Sequence, residues 1–176
     1  MTTRKTPGTR NTTVLRRIGQ ILTAMAIVAG LTVATAGTAL AHGVGDLACN
    51  YIVGRFNACL QITDVGPGQY KVHVGIDVTM SQHDAQNIID SPGQEFTFTL
   101  KGDDGPSNER QHLASLPVTW VGAWSGGLSA ESDVFVTESM LDEDDGTDEI
   151  IAVIRLYIPV TGTTRTFETG TVTANF

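Results

Sequence analysis

The chain has 176 residues, 41% of them hydrophobic and 17% charged, with a formal net charge of −8, which suits one ordinary domain. Residues 1–41 hold five bases (Arg4, Lys5, Arg10, Arg16, Arg17) and no acid, so residues 42–176 keep all 19 acids against the other six of the 11 bases, a net −13. A surface that acidic repels phosphate backbones, which excludes nucleic acid as a partner, and it disfavours anionic membranes unless a divalent cation bridges the two.

The first 41 residues read as an address. A basic, Thr-rich stretch ends at Arg16-Arg17, and an apolar run from Ile18 to Leu40 follows, diluted by Gln20, glycine and threonine. It closes in Ala39-Leu40-Ala41, a small-x-small pattern that signal peptidase reads, so cleavage is expected before His42. The run is also long enough to span a bilayer, and an uncleaved anchor is the competing reading. Its dilution and the small residues at its end favour cleavage. Arg16-Arg17 resembles a twin-arginine export signal, but Gly19 stands where that family has Phe, so the translocon stays open. No later segment is apolar enough to span a membrane. The expectation is a signal peptide, 1–41, and one secreted or cell-envelope domain, 42–176.

Cleavage there leaves His42 at the amino terminus, where the α-amino nitrogen and the imidazole together chelate copper well. This resembles the histidine brace of lytic polysaccharide monooxygenases and of small periplasmic copper carriers, both sandwich folds. The resemblance implies a copper-binding redox protein whose further ligand comes from His73, His83 or His112. The plainer reading of a terminal histidine is a mobile end.

Two cysteines, Cys49 and Cys59, fall in the exported part, and an even count outside the cytoplasm reads as a disulfide. Between them Gly54 and Asn57 suit a turn, so the bridge is expected to join the two strands of a hairpin, near Tyr51 and through Leu60-Gln61-Ile62. A metal site is the other use of such a pair, but no nearby His or further Cys supports one.

Period-two alternation then dominates. Tyr70, Val72, Val74, Ile76 and Val78 share one face of an expected half-buried strand. Ser81 is a helix cap with Asp84 three residues on, Ala85 to Ile89 follows, and Ser91-Pro92-Gly93 stops it. Phe96 to Leu100 alternates again, as does Leu113 to Val121 with Pro117 interrupting it. Val134 to Val136, the stronger run Ile150 to Ile158, and the Thr-rich end from Thr163 to Phe176 complete seven or eight strands. Such a pattern describes an all-β antiparallel sandwich with one short helix.

Trp120 and Trp124 are four residues apart and would share a face of a continuous strand, as in the sugar-stacking platforms of carbohydrate-binding modules. Gly122 between them puts that continuity in question, and large aromatics of a sandwich are expected in its core or at a partly buried edge.

The densest local feature is the loop 142–149, where six of the 19 acids fall in eight positions between two β-prone runs. Crowded carboxylates repel one another and a hard cation relieves the repulsion, so Asp142, Asp144 and Asp148 are candidate Ca²⁺ ligands with backbone carbonyls. The spacing fails the EF-hand pattern, since Thr147 stands where glycine is needed. The Asp-x-Asp…Asp loop resembles the calcium loops of C2 domains, which are also β-sandwiches. That resemblance implies a second acidic loop at the same end, for which Gly102-Asp103-Asp104-Gly105, or Asp77 with Asp84, are candidates. A solvated acidic turn that needs no ion is the plain alternative.

Hydrolytic signals are weak. Gly122 lies three residues before Ser125, so the Gly-x-Ser-x-Gly elbow is absent, and Ser81, His83 and Asp84 on one short helix do not face one another as a triad must. The sequence therefore points to a secreted, non-catalytic β-sandwich that binds an extracellular protein or carbohydrate, with Ca²⁺ the candidate ion at the acidic loop. Copper bound through His42, or a carbohydrate-binding module, are the alternatives.

Overall fold

Alternation along the central strand sets the layer structure. In the computed structural model, which describes residues 43–103, 110–142 and 146–176, β3 (Gln69–Thr79) buries Val72, Val74, Ile76 and Val78 and turns Lys71, Asp77 and Thr79 outward. The expected leader and His42 lie outside the described residues. On one side β3 pairs with β2 (Phe56–Gly66), which pairs with β1 (Leu47–Ile52). On its other side lies β7 (Gly127–Thr137), then β6 (Trp120–Trp124). The first sheet thus has the order β1-β2-β3-β7-β6, all antiparallel.

The second sheet is built on β8 (Asp148–Ile158) and β4 (Phe96–Gly102), with β5 (His112–Leu116) beyond β4. The other edge of β8 is shared by β9 (Thr163–Glu168) and β10 (Val172–Ala174), which pair with its two halves in turn. Leu60, Ile62, Val74, Ile76, Leu128 and Ala130 of the first sheet bury into one cluster with Phe96, Phe98, Leu100, Ile154 and Leu156 of the second. The expected all-β sandwich is therefore observed, with ten strands among the described residues in place of seven or eight.

The additional strands have local causes. Leu113 to Val121, expected as one strand, is two: Pro117 lacks an N–H for the ladder, and the chain leaves β5 in one sheet and enters β6 in the other. The end of the chain likewise divides, with Thr169 and Gly170 between β9 and β10. The Thr169 hydroxyl accepts from Ala152 N at 2.9 Å, so a side chain takes over one rung of the ladder.

The helix α1 (Gln82–Ile89) forms as its cap predicts. Ser81 Oγ accepts from Asp84 N at 3.1 Å and donates to the Asp84 carboxylate at 2.6 Å. Its buried face, Ala85 and Ile88, packs beside β6 and β7. No helix among the described residues is long and apolar enough to cross a membrane.

Candidate functional site

The antiparallel register arranges the outer face of the first sheet in rows. Tyr51, Asn57, Asp77, Ser129 and Gly122 lie opposite one another across all five strands. The next row is Cys49, Cys59, Gly75, Glu131 and Trp120. All five positions of each row point away from the core, because side chains alternate along every strand.

Cys49 and Cys59 are register partners and are bridged, with Cα atoms 4.1 Å apart. The hairpin expected from the sequence is present: Ile52 pairs with Phe56 across the turn Val53-Gly54-Arg55, closed by Arg55 N donating to Ile52 O at 2.9 Å. Gly54 occupies the turn, whereas Asn57 belongs to β2.

Trp120 and Trp124 occupy one continuous edge strand and are about half exposed, at 49% and 50%. They are edge residues and not part of the core. Glycines explain how they lie. A Cβ built on Gly122 would come within 2.5 Å of the Trp120 ring, and one on Gly126 would run into the Trp124 ring. Each indole thus lies over a glycine while about half of the residue stays exposed. The β6–β7 turn brings this about: Trp124 pairs with Gly127, whose φ of +143° and contact with the Val78 carbonyl both require the absence of a side chain.

The orientation of Trp124 is fixed further by a hydrogen-bond chain. Its indole Nε1 donates to Ser129 Oγ at 2.8 Å, and Ser129 Oγ donates to Asp77 Oδ1 at 2.5 Å. Asp77 remains exposed beside the ring. Facing Trp124 across the end of β3 is the hairpin tip, with Tyr51, Ile52 and Val53 exposed at 62%, 46% and 86%. Between the two lies a cleft of about 490 Å³ with Asn57, Asp77 and Thr79 on its lining. A second hollow of about 160 Å³ adjoins it through Asn57 and Asp77 and reaches His73, Gly75 and Glu131. Together they form a groove along the sheet face, apolar and aromatic at one end and carboxylate-lined at the other. The sequence signal for it was the Trp120–Trp124 spacing alone; Asp77, Asn57, Glu131 and Tyr51 join it only through strand register.

Next along the face, Lys71 Nζ lies 2.8 Å and His73 Nδ1 3.3 Å from Asp133 Oδ1. The Lys71 ammonium holds the Asp133 carboxyl below the usual carboxylate range, with His73 adding to the effect against the cost of desolvation.

The residues proposed for metals are placed elsewhere. β7 ends at Thr137, which pairs with Gln69 at the far end of β3 from Asp77, so Asp142, whose N–H donates to Glu138 O, is at the opposite end of the sheet from the cleft. Asp142 is exposed, Asp144 lies outside the described residues, and Asp148 is buried at the start of β8, where Phe176 N approaches its Oδ2 at 3.5 Å. Asp103 reaches the same end, its N–H donating to Glu149 O at 2.6 Å, while its carboxylate pairs with Arg110 at 3.0 Å. Arg110 also binds Glu168 at 2.5 Å, tying the segment before β5 to β9. Asp77 and Asp84 are not part of that end: the first lines the groove and the second caps α1. His73, His83 and His112 are on three different elements, β3, α1 and β5. Among the described residues no group of three or more His, Cys, Asp or Glu side chains is placed to hold a metal ion.

Comparisons with protein-family models, with curated proteins and with solved structures find no match to this chain.

Proposed function

We propose that the chain is exported, loses residues 1–41, and acts outside the cell as a non-catalytic binding module whose ligand is a carbohydrate held in the groove on the outer face of the first sheet. The observation that carries this reading is the pair of half-exposed indoles on one edge strand, each lying over a glycine. A sugar ring presents C–H groups on its faces and hydroxyls at its rim. The half-exposed Trp124 indole suits the former, and Asn57 and Asp77 beside it suit the latter. The volume of the cleft is within the range of small-ligand sites. The Cys49–Cys59 bridge fits an oxidising compartment.

Retention on insoluble polysaccharides tests the reading. The exported domain is expected to sediment with at least one such polymer, and Trp124→Ala, folded as judged by its unfolding curve, is expected to stay in solution. Failure of the wild-type domain to bind any polysaccharide overturns the reading.

Within the same proposal, Ca²⁺ at Asp142, Asp144 and Asp148 has a stabilising role and no contact with the sugar, since Asp142 and the groove are at opposite ends of the sheet. Millimolar Ca²⁺ is expected to raise the unfolding temperature without changing polysaccharide retention. An unchanged unfolding temperature removes calcium from the account.

A further inference from the structure

We infer that the groove takes an amino sugar, its ring against Trp124 and its ammonium group drawn to Asp77 and Glu131. This rests on the carbohydrate reading above and specifies the chemical class of the glycan. Charge selects the class of sugar. Asp77 and Glu131 both line the smaller hollow and are diagonal neighbours across the β3–β7 pair, Asp77 opposite Ser129 and Glu131 opposite Gly75. Neither has a cationic partner among the described residues, whereas the neighbouring carboxylate, Asp133, takes both Lys71 and His73. Arg55, in the adjacent turn, does not line either hollow. The groove therefore presents two carboxylates with no lysine or arginine partner beside the Trp124 ring, His73 being the one basic side chain on the lining of the smaller hollow, on a domain that is already strongly acidic. An acidic glycan is repelled there, and a neutral one offers the carboxylates hydroxyl hydrogen bonds but no opposite charge. A protonated amine satisfies them, and an aromatic face adds cation–π attraction to the same group.

Gly75 leaves part of the smaller hollow without a side chain, where a Cβ would meet His73 Nε2 at 3.2 Å. The Cys49–Cys59 bridge, one row position from Gly75, holds β1 against β2 along this wall.

The test is calorimetric titration of the exported domain with glucosamine oligomers, with their N-acetylated counterparts and with glucose oligomers, in mildly acidic buffer where the free amines are protonated. The aminated oligomer is expected to bind about tenfold or more tightly than either neutral one, with the advantage shrinking as salt is raised. Asp77→Asn and Glu131→Gln are each expected to reduce that advantage several-fold, while Trp124→Ala weakens all three ligands together. Equal affinity for the three, or an advantage unchanged in both carboxamide variants, overturns the amino-sugar inference and leaves the carbohydrate reading standing. Absence of binding by all three, with no retention on any polysaccharide, overturns the carbohydrate reading itself.

Discussion

Single residues in this protein act mainly by what they leave out. Gly122 has room for Trp120 to lie flat because it has no Cβ. Gly122→Ala is expected to lift the ring, lowering glycan affinity at little cost in stability, as read by titration and by urea unfolding. Undiminished affinity would show that the Trp120 ring is not part of the platform. A converse case is Ser132, which is fully buried and whose Oγ has no hydrogen-bond partner among the described residues. Ser132→Ala removes an unsatisfied hydroxyl and is expected to stabilise by roughly 1 kcal/mol in urea unfolding; a loss of stability would mean that the hydroxyl is satisfied by water. Asp133 gives a pH dependence. Its folded carboxyl titrates below the usual value of about 3.9, chiefly through Lys71, so its contribution is complete above that value and is lost as pH falls through the lower folded one. Lys71 and Asp133 are both partly exposed, which keeps the contribution below about 1 kcal/mol. Lys71→Ala is expected to lower stability at neutral pH and to match the wild type in strong acid. The spacing of the two tryptophans was legible in the sequence. Their exposure was not, because it depends on which sheet β6 joins and which of its faces that sheet turns outward.

Elements were legible where their determinants are local. The α1 cap needs only Ser81 and Asp84, and the β1–β2 hairpin needs a cysteine on each strand and a glycine in the turn, all within a short stretch of chain. Replacing Cys49 and Cys59 by alanine is expected to cost about 3 kcal/mol on the chain-entropy account, measured by denaturant unfolding. A cost under about 1 kcal/mol would mean that register alone holds β1 against β2. Long-range pairing was less legible. Residues on both sides of Pro117 alternate with the same period, and nothing nearby says that β5 and β6 belong to different sheets. In β7 the inward positions Leu128, Ala130 and Ser132 are interleaved with Ser129, Glu131 and Asp133, so only Val134 to Val136 stood out as a strand. Small and polar inward residues suit a strand that packs centrally between β3 and β6, but they weaken its hydrophobic signature.

At the scale of the whole molecule, Asp142 follows β7 towards one end of the first sheet, and the aromatic groove, with Asp77 and Glu131 on its lining, lies at the other. A net charge of −13 on residues 42–176 makes self-repulsion a general cost, so moderate salt is expected to raise the unfolding temperature of that part of the chain. That salt effect acts opposite to the weakening of amino-sugar binding expected in the groove, which separates the two electrostatic contributions. Composition alone pointed to the acidic loop as the conspicuous place; register moves attention to a face whose residues come from five strands and are scattered from Tyr51 to Glu131. The proposed ligand is placed on that face. The chain has two tryptophans, so a proton–nitrogen NMR spectrum of the isotopically labelled domain resolves two indole signals. Titration with glucosamine oligomer is expected to shift both indole signals and the amides of Asn57, Asp77 and Glu131, leaving those around Asp142 and Asp148 in place. Shifts confined to the acidic end, with both indoles unmoved, would contradict the account.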